Sequence, residues 1–242
     1  MIPEAAIWQD VEFGSYAADL PLWEELASAA GGPVVELGAG SGRVALVLAG
    51  NGHELLAIEH DPALCAELQR RAAAKSLSVN VIEADIAELA GLSPVPRFAV
   101  APLHVLQQVE PERRAAALAG LATLLPTGAL LAVVIVDESS LLDGGIGSDQ
   151  VPDMRDVGGW VYSSEPLWVQ VDADALRIRR LRKRVSPAGE IERRVHDDLL
   201  HRLSPEELES EARAAGLSPA GRRSIASGPS EADSLVVLLE AS

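Results

Sequence analysis

The 242-residue chain is short of several things, and each shortage narrows what it can be. A single cysteine, Cys65, excludes an internal disulfide and a thiolate metal cluster. On a helical pattern with Leu64 and Leu68 it reads as a small buried hydrophobe. The five histidines show no H-x-x-x-H spacing, so no metal is expected. Basic residues are outnumbered, 20 Lys and Arg against 36 Asp and Glu, which leaves a formal charge of −16. Such a balance argues against a phosphate-backbone footprint, and no nucleic-acid partner is expected. No apolar run approaches the roughly eighteen residues of a membrane helix, and Glu4, Asp10 and Glu12 stand where a signal peptide would be basic. The sequence therefore reads as soluble and cytoplasmic, with no membrane role. Aromatic residues make up only 3%, and apart from Phe98 they fall within the first 23 residues or between Trp160 and Trp168.

What is present is organised around Val34-Val35-Glu36-Leu37-Gly38-Ala39-Gly40-Ser41-Gly42-Arg43. A β-branched pair leads into alternate glycines and then into the apolar run Val44 to Ala49, a pattern of strand, tight loop and helix. Glycine there permits positive φ and lets a ligand approach main-chain N–H groups. A helix starting at Gly42 would add unpaired donors and a partial positive charge. A dinucleotide loop would read G-x-G-x-x-G, but here Arg43 replaces its third glycine. Glu36, on the strand itself, would repel a diphosphate and suits a ligand that carries an ammonium group.

Further apolar strands are expected at His53–Glu59, Val79–Glu83, Phe98–Ala101 and Ala129–Val136, separated by helices that include one opened by Asp61-Pro62 and another from Pro111. Such alternation predicts a doubly wound α/β sheet, mostly parallel, with its ligand over the carboxyl ends of strands one and four. Glu59 lies about twenty residues past the loop, where such sheets bring a carboxylate to a ribose. Ser204-Pro205-Glu206-Glu207 is a capping-box helix start. Strands at 220–226 and 234–239 are joined by Ser227 to Glu231, too short for a parallel crossover, so they must pair antiparallel. That makes a seven-stranded Rossmann-like sheet with an antiparallel C-terminal hairpin edge.

The E-x-G-x-G-x-G stretch resembles the first motif of the class I S-adenosylmethionine-dependent methyltransferases, and the C-terminal hairpin is their topological mark. The resemblance covers roughly residues 30–137 and 204–242. It implies S-adenosylmethionine as cofactor, S-adenosylhomocysteine as product, and no metal. The cofactor-binding residues it implies are Tyr16, Glu36, Gly38, Ala39, Gly40, Gly42, Arg43, Glu59, His60, Ala84, Asp85, Ile86, Ala101 and Pro102. Asp85 would face the adenine amino group, with apolar neighbours on the ring, although a plain helix cap explains it too. Tyr16 would offer a ring face to the sulfonium. Ala99 replaces an acid common in the family, and no N-P-P-Y or D-P-P-Y motif follows the fourth strand, which disfavours methylation of bases or glutamine.

The domain reading is a single unit: an N-terminal helical lid (1–30), a cofactor-binding core (31–137), an inserted β-rich cap for the acceptor (138–203), and the C-terminal helix and hairpin (204–242). Within the cap, Leu176–Val185 and Glu190–Leu200 flank Ser186-Pro187-Ala188-Gly189 as a hairpin. Its Arg/Lys run is neutralised by Glu190, Glu192, Asp197 and Asp198. Trp160, Tyr162 and Trp168 are acceptor-wall candidates, and His104, just past strand four, is a candidate general base. The expected activity is methyl transfer to a nitrogen or oxygen of a small molecule, and a homodimer is compatible with the sequence. The rivals are a non-catalytic S-adenosylmethionine-binding regulator and a nicotinamide-dependent dehydrogenase, the latter opposed by Arg43 and the hairpin.

Overall fold

A computed structural model describes residues 2–89, 91, 95–136, 152–225 and 234–242. Two helices, α1 (Glu4–Glu12) and α2 (Leu20–Ala30), precede strand β1 (Val34–Leu37). There follow α3 (Ala45–Gly50), β2 (Leu55–Glu59), α4 (Pro62–Ala74), β3 (Val79–Glu83), β4 (Phe98–Ala101), α5 (Pro111–Leu124) and β5 (Leu130–Val136). The remainder is β6 (Asp153–Val157), β7 (Trp160–Val171), β8 (Ala175–Val185), β9 (Ile191–His201), α6 (Pro205–Ala215), β10 (Leu217–Ile225) and β11 (Ser234–Ala241).

Seven strands form one sheet in the order β10-β11-β5-β4-β1-β2-β3, with β11 antiparallel to both β10 and β5 and the others parallel. The order reverses at β1, which pairs with both β2 and β4, and a ligand crevice opens there. β1 and β4 are buried throughout because helices cover both faces. Alternation divides the core: Val35, Leu37, Leu56, Ile58 and Leu131 pack under Leu118 and Leu121 of α5 and Leu208 of α6. Val34, Leu55, Phe98 and Val100 point the other way, onto Trp23 of α2, Leu48 of α3 and Leu68 of α4. Cys65 is buried, and its thiol donates to the Glu59 carbonyl at 3.3 Å. The α6 capping box is formed, with Gly216 in the left-handed conformation at its far end.

The segment read as a cap is a separate four-stranded antiparallel sheet, β6-β7-β8-β9. It leans on α1, where Trp8 and Tyr162 meet edge to face, their centroids 5.3 Å apart. The Arg/Lys run is neutralised only partly as expected, by Arg179–Asp197, Arg180–Asp198 and Arg184–Glu192 pairs, while Arg177, Arg182 and Lys183 pair with Asp172, Glu12 and Glu165 and no pair to Glu190 is seen among the described residues. Among the described residues no helix is long and apolar enough to cross a membrane.

Four local expectations need correcting. α1 was not foreseen as a separate helix within the N-terminal helical lid; Ile7, Trp8 and Val11 are an apolar stripe at helical spacing that packs on Tyr162. The helix after the glycine loop begins at Ala45, not Gly42, because Gly42 N–H turns back to the Ala39 carbonyl at 2.9 Å and is spent in the turn. Trp160 to Trp168 belong to one long strand, bulged between Pro166 and Trp168 where proline cannot donate to the ladder. A Gly/Asp/Ser-rich loop, expected over residues 139–159 from its composition, is overturned in its described part, where Asp153–Val157 pairs with β7 as β6; its residues up to 151 and the Ser227–Glu231 connection lie outside the described residues.

Candidate functional site

Where the sheet reverses, the glycine loop takes the strained course that its sequence permits. Gly38 (φ +63°) and Gly40 (φ +56°) are left-handed. Glu59, at the end of β2, organises the loop from beneath. One carboxylate oxygen accepts from Gly40 N–H at 2.8 Å, and the other accepts from His60 and Asp61 N–H at 2.9 Å. Above it lies a cavity of about 400 Å³, walled in part by Glu36, Gly38, Ala39, Gly40, Glu59, His60, Ala84, Asp85, Ile86 and Pro102. Its volume is ordinary for a small-molecule site.

Glu36 is the unusual wall residue. It is 2% exposed, and its Oε2 has no hydrogen-bond partner. Burial pushes its carboxyl up to about 8, although Arg43 and the Ala45 N–H pull it down. A buried carboxylate facing a cavity with an unused oxygen is suited to an incoming cation. The site therefore fits a cofactor with an α-ammonium: Glu36 for the charge, glycine backbone for close approach, Ile86 and Ala84 for an apolar ring. Asp85 faces this cavity too, though it is engaged. It caps a short turn through Ala87 N–H at 2.9 Å and pairs with Arg113 at 2.6 Å, contacts that hold its carboxyl below the usual range.

Several candidates stand elsewhere. Arg43 borders the cavity, but its guanidinium grips Asp19 at 2.7 and 2.6 Å, donates to the Tyr16 carbonyl and lies 5.2 Å over the Tyr16 ring. Asp19 is 1% exposed and also takes the Trp23 indole N–H. This cluster fastens the N-terminal segment to the loop. Tyr16, Gly42 and Ala101 do not line the cavity. A Cβ on Gly42 would overlap the Leu68 Cδ1 methyl, so that glycine serves helix packing.

A second cavity, of about 420 Å³, lies between α1 and the inner face of the four-stranded sheet. It shares Gln9, Phe13, Leu103 and Gln108 with the first, so these four residues frame a common border. His104 is in its wall. Leu103 and His104 both adopt positive φ, +47° and +62°, at the carboxyl end of β4. Strain of this kind clusters at functional sites. His104 Nδ1 is buried without a partner, and burial lowers the ring to about 4, which leaves it neutral at ordinary pH. Trp160, Tyr162 and Trp168 line neither cavity. Trp160 and Trp168 lie under Arg184 and Arg179, and Tyr162 is packed on Trp8. The aromatic side chains that do border the second cavity are Trp8 and Phe13 of the N-terminal segment.

Sequence reasoning missed Gln9, Asp10, Phe13, Ser41 and Gln108. Gln9 Oε1 accepts from Ser41 N–H at 2.9 Å, and Asp10 joins Ser41 Oγ to Arg71. The apolar stripe of α1 was the available signal, because it sets Gln9 and Asp10 on a helix beside the loop.

Residues 34–128 match the family described as a methyltransferase domain. No curated protein matches the chain in sequence. Among solved structures, the chain is similar to the sugar N-methyltransferase KedS8 of a Streptoalloteichus species, with a TM-score of 0.76 and 16% identity over 98% of this chain and 93% of that one. It is also similar to CalS10, an amino pentose methyltransferase from Micromonospora echinaspora, with a TM-score of 0.75 and 16% identity over 98% and 97%. The methyltransferase CcbJ from Streptomyces caelestis gives a TM-score of 0.69 and 22% identity over 95% and 98%.

Proposed function

We propose that this chain is an S-adenosylmethionine-dependent methyltransferase whose acceptor is a small molecule, methylated on nitrogen or oxygen and held in the cavity between α1 and the four-stranded sheet. The observation that carries the reading is the border shared by the two cavities at Gln9, Phe13, Leu103 and Gln108. A methyl donor in one cavity would there face an acceptor in the other. Neighbours described as methylating an amino pentose or another sugar agree in kind.

The cofactor, when bound, supplies a methyl on sulfonium already activated for displacement, so the protein's task is alignment and exclusion of water. Glu36 would take the α-ammonium. Glu59 would keep the loop in register and present its carboxylate beside the ribose. Ile86 and Ala84 would flank the adenine. On the acceptor side, the neutral His104 ring, which stands in the cavity wall, would orient the N–H or O–H of the reacting group. A ring lowered to about 4 is a weak base, so its main effect would be orientation. The test is production of S-adenosylhomocysteine from S-adenosylmethionine across a panel of small amines, amino sugars and hydroxylated compounds. Binding of S-adenosylhomocysteine with no turnover on any acceptor would favour a binding protein. No binding at all would sink the cofactor assignment.

A further inference from the structure

The first cavity has a partner for an ammonium in Glu36 but no visible partner for a carboxylate. The guanidinium groups around it are engaged: Arg43 with Asp19, Arg71 with Asp10 at 2.7 and 2.8 Å and with Glu67 at 2.7 Å, Arg113 with Asp85 at 2.6 Å, and Arg155 with Asp10 at 3.3 Å. Glu67 is held so firmly that its own carboxyl falls to about 2, through Arg70 first and then Arg71.

One donor beside the loop is uncommitted. Gln9 Oε1 is pinned by Ser41 N–H, which fixes the plane of the carboxamide. The group lies flat on Gly40, where a Cβ would come within 2.5 Å of Oε1 and 2.9 Å of Nε2. Among the described residues Nε2 has no hydrogen-bond partner, and Gln9 borders both cavities. The helix that carries it is anchored on either side. Asp10 is paired with Arg71, and Glu12 is paired with Arg182 at 2.7 Å and accepts from Ser164 Oγ at 2.8 Å. These ties keep Gln9 beside the loop, and the bond from Ser41 N–H holds its carboxamide there.

We propose that Gln9 is a specificity-determining residue that presents its Nε2–H donors to the α-carboxylate of the cofactor, so that Glu36 and Gln9 together read the amino-acid zwitterion. The inference rests on S-adenosylmethionine being the ligand of the first cavity. It also explains Gly40: the missing Cβ makes room for this carboxamide as well as for the ligand. A neutral amide suits the place better than a free arginine would, because a third cation beside Arg43 and Arg71 would be repelled by both.

The experiment compares two probes on the full chain, S-adenosylhomocysteine and 5′-methylthioadenosine, which lacks the amino-acid end. Wild-type protein that binds S-adenosylhomocysteine upholds the cofactor reading whatever the Gln9 variants do. Gln9→Glu retains an oxygen for Ser41 N–H and exchanges the donor for a negative charge. By calorimetry it should weaken S-adenosylhomocysteine at least tenfold and leave 5′-methylthioadenosine within about twofold. Gln9→Met, of similar length but without donor or charge, should show the same selective loss to a smaller degree, and it decides the matter if the glutamate variant fails to fold. Unchanged affinity for S-adenosylhomocysteine, or an equal loss for both probes, overturns the proposal: the first means Gln9 meets no carboxylate, the second that it only braces the loop.

Discussion

Glu36→Gln should make the free protein more stable while it weakens cofactor binding, and the pH dependence gives the size of the effect. The Glu36 carboxyl titrates near 8 in the folded protein against an ordinary 4.5. Below pH 4.5 both folded and unfolded chains hold the proton, and this residue costs nothing. As pH rises from 4.5 toward 8 the unfolded chain releases a proton that the folded one keeps, so stability falls throughout that window. At 1.36 kcal/mol per pH unit, the cost between pH 4.5 and 7 is at most about 3 kcal/mol. Glutamine is nearly isosteric and does not ionise, so the variant should match wild type near pH 4.5 and exceed it by roughly 1–3 kcal/mol at pH 7–8. Urea unfolding at half-unit pH intervals reads this directly. A ligand ammonium would stabilise the ionised carboxylate, so binding of S-adenosylhomocysteine at pH 7 should release about one proton, visible as a buffer dependence of the binding enthalpy. Loss of a charge-assisted contact should weaken the variant's affinity by about 10- to 100-fold. Parallel stability profiles for the two proteins, or equal affinities, would refute the reasoning.

Glu59→Ala strips acceptors from the N–H groups of Gly40, His60 and Asp61; affinity for S-adenosylhomocysteine should fall at least tenfold, and a loss under about threefold in titration would show that the carboxylate is dispensable. Gly42→Ala places a side chain at φ +96° against Leu68 and should cost about 2 kcal/mol in urea unfolding. A variant as stable as wild type contradicts that. Arg43→Met strands the buried Asp19 carboxylate, with an expected loss of about 3 kcal/mol; melting unchanged within a degree would show the pair to be idle. Because His104 is already neutral above about pH 4, turnover should show no inflection near pH 6.5 that disappears in His104→Asn, and finding one would mean that the ring carries the proton.

The strands and the cofactor loop were legible because short-range chemistry dictates them. The run from Val34 to Leu37 is apolar but for Glu36 and opens on a β-branched pair, and the glycines after it tolerate positive φ. Asp61-Pro62 and Ser204 to Glu207 carry their caps in the sequence. The C-terminal pairing followed from loop length alone. What escaped depends on long-range packing. Nothing local marks Gln9, whose partner is 32 residues away at Ser41, or Glu12, whose partner is 170 residues away at Arg182. Arg43 looked like a loop residue aimed at a ligand, yet its best counter-charge, Asp19, lies at the start of the preceding helix and buries with it. The aromatic residues of β7 misled for the opposite reason. Their clustering was real, but in β7 each Trp found a β8 guanidinium partner, and Tyr162 found Trp8.

The cavity proposed for the acceptor is lined by α1, β8, β9 and the turn after β4, and only that last piece falls within the stretch that matches the methyltransferase domain. The matched stretch supplies most of the wall of the first cavity and is silent on most of the residues that line the second. Those residues are held by α1, which is tied to the loop through Gln9 and Asp10 and to the second sheet through Glu12 and Trp8. One short helix thus fixes the separation of the two cavities. A change on the β8–β9 face can alter which molecule enters without moving the methyl donor, whereas a change on α1 must disturb both. On the proposed function, acceptor choice would be free to vary on the sheet, and the alignment that methyl transfer needs would be set by the helix.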